Sequence, residues 1–142
     1  MACYLHVMLL LTIIAQRIYM YNSKDFPELS MFIKDTVDCF EKWNILIHYS
    51  RQPMAQESVC SLTKLTGRPE EAIKKAIDDL LMQGVLYSNE NSQENYHLSS
   101  EKAPIFEKLK SGMTDKSARL RLLMVAVESI RVKSNSGKGE KK

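Results

Sequence analysis

The amino-acid sequence predicts a mainly α-helical domain that carries one small β-hairpin. Apolar residues recur at intervals of three and four, as a helix with one buried face requires, in four segments: 31–51, 55–66, 69–83 and 114–133. Two short strand-like stretches, 85–88 and 95–99, are separated by the polar loop NENSQE, which indicates a hairpin. The chain has 142 residues, 44% hydrophobic and 26% charged, which is ordinary for one globular domain with a core.

The first thirty residues are predicted to form an apolar helix followed by a loop. The apolar run 2–15 is shorter than the ~20 residues that a membrane helix needs, so no membrane association is expected. We expect a helix buried in a core or in a subunit interface. A secretory signal remains an alternative, because Ile13 and Ala15 resemble a cleavage site, although no basic residue precedes the run. A later translation start is another alternative to a buried helix. Turn-forming residues and Pro27 predict a loop over 22–30.

The segment 31–51 is predicted to be the first helix of the core, and Pro53 ends it. Its buried face is expected to contain Phe32, Ile33, Val37, Phe40, Trp43, Leu46 and Ile47. We expect Phe40 and Trp43 to form the surface on which the next two helices pack.

Two helices joined by a tight turn are predicted to follow. Gly67 suits the left-handed turn that closes the first of them. Pro69 fits the first position of the second helix, where its missing N–H would be unpaired in any case, and Gly84 ends that helix. The buried faces are expected to consist of Val59, Leu62 and Leu65 in the first helix and of Ile73, Ala76, Ile77, Leu80 and Leu81 in the second.

The C-terminal third is predicted to be a helical connector over 100–112, a last helix over 114–133 capped by Thr114, and a disordered basic tail over 134–142. The last helix is apolar on more than one side. A coiled-coil-like seam is expected to consist of Leu120, Leu123, Val127 and Ile130, widened by Leu122, Val125 and Ala126. Packing on its own domain is one alternative. We favour a homodimer with this seam as the interface, because the N-terminal apolar run also needs a partner.

The order of helix, short helix, glycine turn, helix and hairpin resembles the winged helix-turn-helix family, in the manner of the MarR-like regulators. The resemblance covers roughly residues 31–110 and is carried by Val59, Leu62, Leu65, Gly67, Ile73, Ala76, Ile77, Leu80, Gly84, Val85, Leu86, Tyr96, Leu98 and Ser99. It implies a DNA-binding transcriptional regulator whose second helix enters the major groove of double-stranded DNA. The positions that match the family's nucleic-acid-binding helix hold Arg68, Glu70, Glu71, Lys74 and Lys75.

The charge pattern departs from that family. The hairpin tip has no basic residue, and residues 31–100 hold seven Lys or Arg against ten Asp or Glu. Residues 101–133 hold eight against four, so attraction to nucleic acid is expected mainly from the C-terminal third. This distribution favours a second hypothesis, in which the winged helix is a protein–protein interaction module without significant DNA binding.

The acidic residues of the second helix have a structural explanation. Glu70 and Glu71 lie in its first turn, where the helix dipole favours negative charge by roughly 0.3–1 kcal/mol each. Asp78 and Asp79 follow Lys74 and Lys75 by four residues, which predicts weak ion pairs along the helix. The same acids weaken phosphate binding.

No catalytic, metal or cofactor site is predicted. The three histidines lie far apart, and no nucleophile motif, phosphate-binding glycine loop or paired-carboxylate motif is present. The three cysteines are irregularly spaced, which excludes a disulfide framework, so we expect Cys39 and Cys60 to be buried free thiols in a cytoplasmic protein. The sequence predicts neither an operator nor an effector.

Overall fold

A computed structural model describes residues 4–11, 25–89 and 92–139 of the chain. The elements in order are α1 (4–11), α2 (Asp25–Thr36), α3 (Phe40–Arg51), α4 (Val59–Thr66), α5 (Glu70–Met82), β1 (Leu86–Asn89), β2 (Ser92–Leu98), a 3₁₀ turn (Ser100–Lys102), α6 (Ala103–Thr114) and α7 (Lys116–Gly139). The predicted fold class, mainly α with a small β-hairpin, is confirmed at this level.

The single helix predicted over 31–51 is in fact two helices. Helix α2 begins at Asp25, inside the predicted loop, and contains Pro27 in its first turn, where a missing N–H breaks no helical hydrogen bond. It ends at Thr36, and α3 begins at Phe40. The carbonyl of Val37 in the break accepts a hydrogen bond from the Ser129 hydroxyl of α7 at 2.6 Å, so tertiary contacts satisfy the end of α2.

Helix α4 begins later than predicted because Ser58 caps it. The Ser58 hydroxyl accepts from the Ser61 N–H at 3.1 Å, and the Ser61 hydroxyl accepts from the Ser58 N–H at 2.8 Å. Gly67 ends α4 in the left-handed conformation with φ +68°, as predicted, and Gly84 follows α5 with φ +73°. Pro69 precedes the first residue of α5.

The hairpin is longer than predicted. Strands β1 and β2 are antiparallel, with Leu86 opposite Leu98 and Tyr87 opposite His97. The second strand begins at Ser92 rather than at residue 95, so pairing continues into the loop predicted to be six residues long. Residues 90 and 91 lie outside the described part of the chain.

One core joins the described helices from α2 to α7. It contains Leu29, Ile33, Val37, Trp43, Ile45, Leu46, Tyr49, Leu62, Ile73, Ala76, Ile77, Leu80, Val85, Leu86, Leu98, Phe106, Leu109, Leu122 and Ala126. Trp43 is buried as predicted, but Phe40 and Leu65 are exposed because they lie at helix ends. Cys60 is also exposed, and Cys39 is half-buried with its pKa raised to about 11 by burial.

The last helix differs from its prediction at both ends. Asp115, not Thr114, caps α7, since its carboxylate accepts from the Ala118 N–H at 2.8 Å. Thr114 ends α6, and its hydroxyl donates to the Ser111 carbonyl. Helix α7 continues to Gly139, into the segment predicted to be disordered. Adding a residue to an existing helix costs less than starting one, so a polar sequence can extend it.

Candidate functional site

Helix α5 presents a charged face to solvent. Its inner face is fully buried through Ile73, Ala76, Ile77 and Leu80, as predicted. The opposite face carries exposed residues, namely Glu70, Glu71, Lys74, Lys75, Asp78 and Met82. Three carboxylates and two ammonium groups leave this face slightly acidic. Met82, at its end, is 88% exposed, so the face is not uniformly polar.

The two lysines of this face have no acidic partner in the described part of the chain. Among the described residues, no carboxylate lies within 4 Å of the ammonium group of Lys74 or Lys75. The ion pairs predicted along the helix, from Lys74 to Asp78 and from Lys75 to Asp79, are therefore absent. Both lysines are available to an outside anion.

Arg68, immediately before α5, is held by a residue that the sequence did not indicate. Both its Nε and one terminal nitrogen approach Oε1 of Glu41, at 2.9 and 2.7 Å. The Glu41 side chain is 10% exposed and the Arg68 side chain 44% exposed. Burial opposes ionisation of Glu41, but a backbone N–H and the Arg68 guanidinium outweigh it and hold the pKa of Glu41 below its ordinary value.

Lys42, the next residue of α3, holds α5 from a second point. Its ammonium group lies 2.8 Å from Asp38 and 3.0 Å from Asp79, and its side chain is only 2% exposed. Burial opposes the charge of Lys42, but hydrogen bonds to the two carboxylates raise its pKa above the ordinary value. Asp79 thus pairs with α3 rather than with Lys75. Two consecutive residues of α3 fix both the start and the third turn of α5.

A shallow groove separates the start of α3 from the flank of α5. Its volume is about 290 Å³, and it is lined by Asp38, Cys39, Glu41, Ala72, Lys75, Ala76 and Asp79. The carboxylates of Asp38, Glu41 and Asp79 are already paired with Lys42 or Arg68. Lys75 is the lining residue that belongs to the outer face of α5.

An isolated backbone bridge attaches the described part of the hairpin to the segment between α3 and α4. Glu57, between α3 and α4, exchanges two backbone hydrogen bonds with Tyr96 of β2, at 2.8 and 3.2 Å. The Tyr49 hydroxyl donates to the Tyr96 carbonyl at 2.7 Å. The Glu57 carboxylate accepts from Ser61 at 2.6 Å and lies 3.2 Å from Nε2 of His48. These contacts join α3, α4 and β2 around one glutamate.

The described side chains on the exposed face of the hairpin include no carboxylate, lysine or arginine. The rings of Tyr87 and His97 stack across the strands, with centroids 5.1 Å apart. Nδ2 of Asn89 lies 3.5 Å from Nε2 of His97. No lysine or arginine occurs between residues 85 and 99. Any contact of this hairpin with a polyanion would rest on hydrogen bonding rather than on fixed positive charge.

The predicted seam of α7 is split between two faces. Leu120, Leu123 and Val127 are exposed, by 59%, 38% and 43%, whereas Ile130 packs against the core. The core side of α7 is formed instead by Ala118, Leu122, Ala126 and Ser129. Met124 adds to the apolar outer face at 63% exposure. In α1, all the described side chains are exposed, and most are apolar.

Comparison of the chain with protein-family models, with curated proteins and with solved structures finds no match. No helix in the described ranges combines the length and the apolar composition that crossing a bilayer demands. Among the described residues, no three His, Cys, Asp or Glu side chains converge as metal ligands.

Proposed function

We propose that this chain is a winged helix-turn-helix protein that binds double-stranded DNA as a cytoplasmic homodimer and regulates transcription. In this proposal α4 and α5 are the helix-turn-helix, α5 is the recognition helix and the β1–β2 hairpin is the wing. The observation that carries the proposal is the outer face of α5, where Lys74 and Lys75 lie exposed and have no acidic partner among the described residues.

The order and connection of the elements support a winged helix. Helices α3, α4 and α5 precede the hairpin, and the tight turn at Gly67 joins α4 to α5. The bridge between Glu57 and Tyr96 adds a third, one-residue strand to the hairpin and attaches it to the helices. This arrangement leaves the outer side of α5 uncovered, as insertion into a major groove requires.

The residues proposed to approach DNA differ in whether they already form an ion pair within the protein. Lys74 and Lys75 are the principal phosphate contacts, because neither breaks an ion pair with a described residue when it meets a phosphate. Glu70 and Glu71 lie beside them, and a glutamate can accept a hydrogen bond from cytosine N4. Arg68 belongs to the same surface but is already paired with Glu41.

The outer faces of α1 and α7 support a dimer. Leu120, Leu123, Met124 and Val127 form an apolar strip on one side of α7, and the described part of α1 is apolar and exposed. Apolar surface of this kind is stabilised when a second copy covers it. Two recognition helices in successive major grooves lie about 34 Å apart.

One observation favours a protein-binding module as a second candidate. The outer face of α5 has more carboxylates than ammonium groups and ends in the exposed Met82, and the hairpin lacks lysine and arginine. Methionine adapts to the surface of a protein partner, whereas acidic groups repel phosphate.

Titration of mixed-sequence duplex DNA at 50 and 200 mM salt separates the two functions. DNA binding predicts an affinity that falls steeply with salt, and the slope falls by roughly 0.9 for each phosphate contact removed in Lys74→Ala or Lys75→Ala. Lys34→Ala, at an exposed lysine on α2 and outside the helix-turn-helix, is the control for loss of charge elsewhere. An unchanged slope in the double Lys74→Ala/Lys75→Ala variant contradicts contact by these residues. Absence of binding at 50 mM salt contradicts the proposed function.

A further inference from the structure

We propose that Glu41 lowers the non-specific affinity of the protein for DNA by neutralising Arg68. Its carboxylate takes the position on the guanidinium that a phosphate would take, so the protein keeps an arginine at its surface without that arginine's attraction to every duplex. This inference rests on the proposed function, and its consequences can be measured separately.

The geometry of the pair matches that of a phosphate contact. Nε and a terminal nitrogen of Arg68 both approach the single oxygen Oε1 of Glu41, at 2.9 and 2.7 Å, and the same N–H donors bind carboxylate and phosphate oxygens alike. The two groups therefore compete for the same N–H donors. Arg68 is 44% exposed, so the pair lies at the surface where α5 begins.

Arg68 does not exchange Glu41 for a phosphate readily. The Glu41 side chain is 10% exposed, and a carboxylate in that environment that loses its cation is left buried and unpaired. A phosphate on DNA remains hydrated without Arg68. The intramolecular pair is therefore retained when DNA approaches, and the pair as a whole carries no net charge.

Neutralisation of Arg68 acts selectively on non-specific binding. Sequence-independent affinity comes almost entirely from phosphates neutralised by lysine and arginine, whereas base contacts depend on hydrogen bonds in the groove. Glu41 removes one positive charge from the first kind of contact and leaves the outer face of α5 unchanged. Glu70 and Glu71 act in the same direction from the helix itself.

Four full-length proteins test the inference: the wild type, Glu41→Gln, Arg68→Gln and the double variant. Glu41→Gln keeps one oxygen acceptor for Arg68, removes the charge and replaces the second oxygen by an NH2 donor. Glu28→Gln is the matched control, because it makes the same change in net charge at an ion pair between α2 and α6, where Glu28 lies 2.6 Å from Lys108. The measurement is the affinity for mixed-sequence duplex between 50 and 200 mM salt, with circular dichroism to verify folding.

We expect Glu41→Gln to raise the salt slope by roughly 0.9, which increases the ratio of the affinities at 50 and 200 mM by about threefold. Arg68→Gln should leave the slope of the wild type unchanged but cancel the increase in the double variant. If Arg68→Gln is too unstable to purify, the comparison of Glu41→Gln with the double variant gives the same answer.

Three results would overturn the inference. A lower slope in Arg68→Gln than in the wild type would mean that Arg68 contacts phosphate in spite of Glu41. An unchanged slope in Glu41→Gln, or an equal increase in Glu28→Gln, would mean that Glu41 has no specific effect. Each of these results leaves DNA binding itself intact. If none of the proteins binds duplex at 50 mM salt, the proposed function fails and this inference fails with it.

Discussion

Helices α5 and α7 each bury one side in the core, but their solvent sides have opposite chemistry. The outer face of α5 carries five charged side chains between residues 70 and 78. The outer face of α7 carries an apolar strip that contains Leu120, Leu123, Met124 and Val127. Helix α5 is also tied to α3 by ion pairs at two points, whereas α7 is held mainly by small and apolar residues on its inner side.

The difference separates two kinds of surface in one small domain. A face whose lysines have no ion-pair partner among the described residues suits a reversible, salt-dependent contact. An apolar face suits a partner that stays bound, because covering it removes hydrocarbon from water. The ion pairs at Arg68 and Lys42 add polar contacts between α5 and α3 to the apolar contacts of its buried face.

The largest effect is expected from the inner side of α7. Leu122→Ala should lower the free energy of unfolding by about 2–5 kcal/mol, because it leaves a cavity in the core. Leu123→Ala, the adjacent exposed residue, should change the stability of a single chain by less than about 0.5 kcal/mol. Urea unfolding at several protein concentrations measures both. Equal losses in the two variants would contradict the assignment of the two faces.

A smaller effect is expected where α5 meets α3. Lys42→Ala should cost about 1–3 kcal/mol of unfolding free energy, since it removes a buried side chain and two charge-assisted hydrogen bonds. The cost is limited because Asp38 and Asp79 are partly exposed and can be hydrated. Lys75→Ala, an exposed lysine on the same flank, should cost less than about 0.5 kcal/mol. If Lys42→Ala lost as little unfolding free energy as Lys75→Ala, the contact of Lys42 with Asp38 and Asp79 would not stabilise the packing of α5 on α3.

Because the pKa of Lys42 is raised, the stabilisation that Lys42 provides between α3 and α5 should depend on pH in the alkaline range. Its folded pKa lies above the ordinary value of 10.5, so its stabilisation is complete below that value and is lost as the pH rises through the folded pKa. Unfolding curves of the wild type should therefore shift toward those of Lys42→Ala at high pH. A constant difference between the two proteins would contradict this.

Dimerisation through α7 should respond to a charge on its outer strip. Leu123→Glu should weaken a dimer by at least about tenfold in dissociation constant, which is about 1.4 kcal/mol, because two carboxylates would face an apolar interface. Met31→Glu, at an exposed apolar position on α2, is the control. Sedimentation equilibrium measures both. A wild type that remains monomeric at high concentration would exclude the dimer.

Acid should release the contact between Glu41 and Arg68. The folded pKa of Glu41 lies below its ordinary value of 4.5, so its stabilisation is present above that value and is lost as the pH falls through the folded pKa. Between pH 7 and pH 3, the unfolding free energy of the wild type should fall more steeply than that of Glu41→Gln. Glu71→Gln, on the exposed face, should follow the wild type, and a parallel fall in all three proteins would reject the assignment.

The smallest effect is expected from the two acids that begin α5. Replacing Glu70 and Glu71 together by Gln should cost about 1 kcal/mol or less, because only the interaction with the helix dipole is lost. The same change should tighten binding of generic duplex at low salt, and Asp78→Asn should affect it less because Asp78 lies further from the tip of the helix. Fluorescence anisotropy measures the affinity. A marked loss of specific binding would mean instead that a glutamate reads a base.

Local features of the fold could be predicted from the sequence. The turn at Gly67, the end of α5 before Gly84 and the buried face around Ile73 follow from glycine conformations and from the 3.6-residue period, which depend on neighbouring residues. The outward direction of Lys75 and Met82 follows from the same period. The break between α2 and α3 could not be predicted, because apolar spacing continues through it and its carbonyls are satisfied by Ser129, far along the chain.

Ion pairs between helices could not be predicted from the spacing of apolar residues either. Glu41 and Arg68 are 27 residues apart, and nothing in either local pattern indicates the other. The sequence did indicate that Lys42 is buried, because this residue lies on the same helical stripe as the buried Leu46 and Tyr49. A charged residue on such a stripe indicates a buried partner. For α7, several sides are apolar, so spacing alone could not distinguish the strip facing the core from the one facing outward.

The hydrogen bond between Val37 and Ser129 has a consequence for how the chain acquires its shape during synthesis. It joins residues 92 positions apart, so α2 is made long before the helix that covers its end. At the usual ~5–20 residues per second, the apolar side of α2, which includes Leu29 and Ile33, waits on the order of 5–20 s for α7 to leave the ribosome. Throughout that interval the nascent chain exposes apolar surface, which makes it prone to aggregation until α7 covers α2.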